Sequence, residues 1–142
     1  MDVMPVIAVT VFGLIAFIVL WLFVTGLIAF LSGWRSTAKK YPDSAMKGPE
    51  TGSFSFQSVR FGFFGNYNFV INVTLYAEGV MVKPIIFYAF MHRPIFIPWG
   101  AIQNAEKGKF IVQYITLTLE KKKIMITGKS ASPIYEHVMM HR

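Results

Sequence analysis

The 142-residue chain has no cysteine, which excludes a disulfide framework, a thiolate nucleophile and any cysteine-ligated metal centre. Acidic residues are scarce too, 7 against 14 lysines and arginines, and this bears on catalysis. General acid–base chemistry needs a carboxylate or histidine within reach of a second titratable group. Asp43, Glu50, Glu78, Glu106, Glu120 and Glu136 fall in a linker, in turns or on a terminal helical stretch, and only Glu136 adjoins a histidine. Neighbours on a helix diverge, so Glu136 and His137 make no pair. A glycine-rich phosphate loop is also missing. His137 and His141 stand four apart without a third ligand, so neither metal nor cofactor is expected. The chain reads as a protein that is not an enzyme.

The most informative absence is that of charge from Val3 to Trp34. A helix rises about 1.5 Å per residue and about 20 apolar residues cross a bilayer core, so this run spans with length to spare. A cleaved signal would carry a basic start, an apolar core of about 7 to 15 residues and a small-residue cleavage site. This N-terminus has Asp2 and no early lysine or arginine, and its apolar run is about twice too long. Pro5 suits a first helical turn, where its missing N–H has no intrahelical partner. Arg35, Lys39 and Lys40 follow the run and none precedes it, which places the C-terminal part in the cytoplasm and the N-terminus outside. For a bacterial chain the membrane is then the inner one, crossed once. Trp34 and Tyr41 fall at headgroup level, where amphipathic rings are favoured. Thr25, Ala29 and Gly33 recur on one helical face, a small-xxx-small pattern that lets a second helix approach, from another copy or from a larger complex.

Three segments result: an anchor over 1–34, a basic juxtamembrane linker over 35–52 and one β domain over 53–142. The stretch YPDSAMKGPETG carries two prolines and two glycines, a linker composition. From Pro42 onward 11 basic residues oppose 6 acidic ones, a balance that suits an anionic membrane surface. The basic residues are scattered and their one run is Lys121 to Lys123 at a hairpin tip, so no nucleic acid partner is expected. Asn72-Val73-Thr74 matches a glycosylation acceptor by chance, inside a strand-like stretch on the cytoplasmic side.

Past the linker the hydrophobic period becomes two. Phe69, Ile71, Val73 and Leu75 alternate with Val70, Asn72, Thr74 and Tyr76. Phe54 and Phe56 sit on even positions but Val59, Phe61 and Phe63 on odd ones, so a bulge is expected near Gln57 and Ser58. Val80–Val82, Ile95–Trp99, Phe110–Leu119 and Ile124–Ile126 read as further strands, with Pro98 marking an edge. At least six strands are expected. Ser132 and Pro133 then open a short C-terminal helix through Ile134, Tyr135, Val138 and Met139. The expected fold is mainly β: a transmembrane helix, then a small antiparallel sandwich or half-open barrel closed by a C-terminal helix.

The segment LYAEGVMVKPIIFYAFMHRPIFIPWGAI, with Gly79, His92, Pro94, Ile97, Pro98 and Trp99, resembles bacterial PH-like and GRAM-like domains. The resemblance covers roughly residues 53 to 142. It implies a PH-like fold and a recognition role rather than catalysis. Phosphoinositide-binding members of that group cluster lysine and arginine at the first hairpin loop, where this chain has FGFFGNYNF and only Arg60 nearby. Specific inositol-lipid recognition is therefore not expected.

Between Pro84 and Trp99 only His92 and Arg93 are polar. A run this apolar is either core or a surface that meets the bilayer or a protein partner. The second reading makes Ile86, Phe87, Phe90 and Phe96 contact residues, with His92 and Arg93 as polar guides. The chain is then a membrane-anchored, non-catalytic binding or adaptor module, or alternatively an accessory subunit held through Thr25, Ala29 and Gly33.

Overall fold

A computed structural model of the chain describes residues 2–43, 45–61, 65–109, 111–120 and 122–141. Phe63, Phe110 and Lys121, read above as strand or hairpin positions, lie outside these.

Helix α1 (Met4–Ser32) is unbroken over 29 residues, with proline in its first turn. At about 1.5 Å per residue it is roughly 43 Å long, more than a bilayer core needs. Its first four turns are exposed on all sides, whereas Thr25, Ala29 and Ser32 are buried. Gly33 ends it in a left-handed conformation (φ 86°) that a side chain would strain, and the chain restarts as α2 (Trp34–Lys40).

This second helix lies, but for Trp34, within the stretch expected as a linker. Trp34, Thr37 and Ala38 are buried, and Trp34 is 0% exposed within the core of the β domain. Residues 34–40 are therefore part of the folded domain, because their apolar face packs on it. The chain from Tyr41 to the first strand stays close to the sheet as well: Pro42 bridges Ile95, and Phe96 N–H donates to Tyr41 O at 3.0 Å.

Seven strands follow: β1 (Glu50–Arg60), β2 (Asn66–Tyr76), β3 (Gly79–Pro84), β4 (Ile95–Pro98), β5 (Asn104–Lys109), β6 (Gln113–Thr118) and β7 (Lys123–Thr127). All pairings are antiparallel, in the order β4-β3-β2-β1-β7-β6-β5. Connection of the two meanders through β1 and β7 curls the sheet around a core of Ile71, Val73, Val80, Ile115, Leu117 and Ile126, each below 2% exposure. Helix α3 (Ala131–Met140) packs on β5 and β6 and buries Ile134 and Val138. Its N-cap position is Ser130 rather than Ser132 and carries no side-chain capping bond; the Ser130 hydroxyl and N–H both donate to Gln57 Oε1, and Ser132 donates to Gln113 Oε1.

The register slip read from the aromatic parity is present. Pairing jumps between Phe54 and Gln57 and again between Gln57 and Val59, with Phe56 (φ 58°) and Phe69 (φ 61°) in left-handed backbone on the two facing strands. Each bulge turns its phenylalanine outward and restores Val59 and Ile71 to the core. Strand β5, NAEKGK, has no apolar alternation, which is why its sequence gives no strand signal.

Candidate functional site

The site is the junction where the last three turns of α1 meet the β domain. Loops from two hairpins reach it. From the β1–β2 side, Phe61 packs edge-on against Trp34 at 5.2 Å between centroids. Gly65 lies so close that a Cβ there would stand 2.9 Å from Ser32 O, so only glycine fits. From the β3–β4 side comes the apolar segment after Pro84.

Between these loops runs a buried polar chain. His92 Nδ1 donates to Phe90 O at 2.8 Å, which leaves Nε2 of the neutral ring as an acceptor. Tyr67 donates its hydroxyl to that Nε2 at 2.8 Å, and its oxygen accepts the Ser32 hydroxyl at 2.8 Å. Ser32 Oγ in turn accepts the Trp34 N–H at 3.2 Å, and the Trp34 indole donates to Arg93 O at 2.8 Å. Every link is used, so the chain costs no unpaired group. Burial pushes the Tyr67 hydroxyl up to about 12 and moves the His92 imidazole below its ordinary value, keeping both neutral. Trp34 also meets the Tyr67 and His92 rings edge-on, at 5.2 and 5.3 Å.

Lys122 completes the clasp. Its Nζ donates to Gly33 O at 3.3 Å, Ser36 Oγ at 2.6 Å and Thr37 Oγ1 at 2.8 Å. Gly33 O also accepts the Thr37 N–H at 3.0 Å and the Ser36 and Thr37 hydroxyls, so Lys122 adds a charge-assisted bond where α1 gives way to α2. Burial lowers the Lys122 pKa, with a smaller contribution from the Lys40 charge.

The segment after Pro84 is neither a strand pair nor a free loop. A 3₁₀ turn (Ile86–Tyr88) lies against α1, where the Trp21 indole donates to Phe87 O at 2.9 Å and stacks at a tilt on Tyr88 at 5.3 Å. The carbonyls of Ile85, Ile86, Phe87, Ala89, Phe90 and Arg93 all accept hydrogen bonds, three of them from Trp21, His92 and Trp34 side chains. Yet Ile86 is 83% and Phe87 71% exposed. Apolar side chains thus point outward from a backbone in which six carbonyls accept hydrogen bonds within the chain.

The predicted contact residues divide accordingly. Ile86, Phe87, Phe90 and Arg93 are on the surface. His92 (2% exposed) and Phe96 (1%) are inside, His92 because the Tyr67 hydroxyl and Phe90 carbonyl hold it there and Phe96 because it belongs to the short strand β4. Thr25 and Ala29 are buried by the chain's own domain, with the Thr25 hydroxyl turned back to Trp21 O, and Gly33 is the break between helices. Among the described residues no group of three metal-ligating side chains occurs. His137 instead stacks on Trp99 at 4.8 Å, and burial lowers its pKa. Sequence reasoning missed Trp21, Ser32, Tyr67 and Lys122. Of these Trp21 carried a signal, since an indole N–H in an otherwise apolar helix needs an acceptor from elsewhere.

No protein-family model matches the chain, and no curated protein matches it. Among solved structures it is similar to the Vps36 N-terminal PH domain, with a TM-score of 0.51 at 3% identity, over 65% of this chain and 80% of that one. At such identity the likeness is one of fold alone: a PH-like β domain with a C-terminal helix, preceded by one helix long and apolar enough to cross a membrane.

Proposed function

We propose that this chain is a single-pass membrane protein of the binding or adaptor class, with a PH-like domain clamped to its own anchor on the cytoplasmic face of the membrane. The observation that carries the reading is the Trp21 hydrogen bond to Phe87 O, which fixes the exposed apolar turn beside the spanning helix. Backbone tolerates lipid only where its polar groups are satisfied within the protein, and the carbonyls of Ile86 and Phe87 are so satisfied, which favours an interfacial depth for this turn. Ile86, Phe87 and Phe90 then enter the interfacial layer, and Arg93 stays at headgroup level. The same junction supports retention of the helix, since removal of α1 strips Ser32 from its partners and uncovers the Trp34 pocket. The PH-like fold favours recognition over catalysis, with a membrane component or a membrane-resident protein as the partner. The subunit reading finds the Thr25 and Ala29 face already covered, which leaves residues 4–20 as the surface open to a neighbouring helix.

The absence of cysteine makes the test simple. Ile86→Cys in the full chain, labelled with an environment-sensitive fluorophore and placed in vesicles, is expected to be quenched by brominated acyl chains. Quenching by aqueous iodide instead, at the level of a Lys109→Cys control, overturns the reading.

A further inference from the structure

Two depressions adjoin one another where α1, α2 and the β3–β4 segment meet. The first, of about 890 Å³, is rimmed by Arg35, Lys39 and Arg93, with Asp43 as its one carboxylate. None of these three cations forms an ion pair within 4 Å among the described residues. The second, of about 450 Å³, follows α1 along Leu22, Phe23, Gly26, Leu27 and Phe30. Arg35, Phe90 and Met91 line both, so a cationic cup opens directly into an apolar groove.

The geometry points to a site for one anionic glycerophospholipid, its phosphate between Arg35, Lys39 and Arg93 and an acyl chain in the groove along α1. The inference rests on the reading of α1 as a membrane span and names the membrane component that the proposed module recognises. The charge argument is direct: three unpaired cations against one carboxylate favour an anion, and guanidinium forks match phosphate oxygens in pairs. The shape argument is independent of it. A helix in lipid is convex and any acyl chain slides over it, but here Phe90 and Met91 raise a second wall beside it. The wall comes close to the helix at Gly26, where a Cβ would stand 3.1 Å from Met91 Sδ, a tight contact to which the thioether would have to yield. Met91 holds a left-handed backbone (φ 58°), a costly conformation for a residue with a Cβ, at the lip of the groove. Arg35 and Phe30 lie on either side of the Gly33 break and both line the second depression, which brings a cation to the end of the apolar wall. No described residue of the β1–β2 loop lines either depression.

The test uses the full chain, delipidated in detergent and returned to nanodiscs of equal phosphatidylglycerol and phosphatidylcholine, with retained lipids counted by native mass spectrometry after release. One phosphatidylglycerol per chain is expected to stay, in roughly tenfold or greater preference. The variant Arg35→Gln, Lys39→Gln, Arg93→Gln is expected to lose that preference about tenfold, while Lys107→Gln with Lys109→Gln keeps it. Leu27→Trp, which fills the groove and leaves the cations, is expected to reduce retention of both lipids. Glycerol phosphate, the headgroup without chains, is expected to compete poorly. Equal retention of the two lipids, an equal loss in the lysine control, or full competition by glycerol phosphate overturns the lipid site. Insertion is followed separately by co-flotation with vesicles: a chain that inserts without lipid preference refutes this site alone, and one that fails to insert refutes the proposed function beneath it.

Discussion

Nε2 of His92 accepts the Tyr67 hydroxyl at 2.8 Å, and through Tyr67 it is linked to Ser32 in the last turn of α1. Strand β2, the β3–β4 segment and α1 thus share one buried polar chain, in which each member satisfies the next. Removing a member leaves a buried group unpaired, which costs more than the bond itself contributes. The junction is consequently a joint that sets the orientation of the domain to α1.

The joint is sensitive to acid. His92 is held neutral by burial, so its folded pKa lies below its unfolded value of about 6.5. The unfolded chain binds more protons in that window, so stability is fully present above about pH 6.5 and is lost as pH falls through the folded pKa. His137, also lowered by burial, adds a contribution of the same sign. Thermal melting of the full chain in detergent is expected to show a fall in Tm between about pH 7 and about pH 5. His92→Gln is expected to reduce that fall without abolishing it. A fall unchanged by this substitution would assign the effect to His137.

Trp34 joins α2 to the domain core, and truncating a fully buried tryptophan typically costs about 3 to 5 kcal/mol. Trp34→Ala is expected to lower the stability of the full chain by an amount in this range, read from denaturant midpoints in micelles. The fragment 53–142 lacks Trp34 altogether and is expected to be less stable than the fragment 34–142, which restores α2. Equal stability of the two fragments would show that α2 is dispensable.

The long apolar helix, most strands and the bulge near Gln57 were legible because they depend on local pattern: charge-free length, alternation by two and a parity slip between Phe56 and Val59. Trp34 was legible only as an interfacial ring, since a tryptophan between an apolar run and a basic cluster has that role in many spans. Its burial depends on Phe61, Tyr67 and His92, which are distant in sequence and carry no pattern pointing back to it. The small face of Thr25 and Ala29 signalled close packing, but small residues do not specify what packs there, and the chain's own domain does. Strand β5 stayed hidden because its residues are mostly polar and its pairing with β6 is non-periodic in hydropathy.

Lys122 and Lys40 allow two cations at the same junction to be compared. Lys122 holds Gly33 O, between α1 and α2, and two hydroxyls in a partly buried place, whereas the 2.8 Å pair of Lys40 with Glu120 is exposed on both sides. Lys122→Met is expected to cost about 1 to 2 kcal/mol, the lower end of what hydrogen bonds to a charged group contribute. Lys40→Ala is expected to leave the denaturant midpoint unchanged, since exposed pairs add little. A larger loss for Lys40 than for Lys122 would contradict the role assigned to Lys122.

The apolar run after Pro84 supplies the most direct separation of surface from core. Phe87 and Phe90 are exposed and Phe96 is buried, although the three lie within ten residues and share one hydropathy. Phe87→Ser with Phe90→Ser is expected to leave the melting temperature in detergent within the error of the unmutated chain. Phe96→Ser is expected to lower stability by about 3 kcal/mol or more through an unfilled core site and a buried hydroxyl. In vesicles the order reverses for membrane contact: the double variant should release a fluorophore at Ile86→Cys into water, while Phe96→Ser, where it still folds, should not. Loss of the fold in the double variant would make those two rings part of the core and remove the basis for an interfacial role. Retained lipid quenching in a folded double variant would place the seat of insertion on Ile86 and α1 instead.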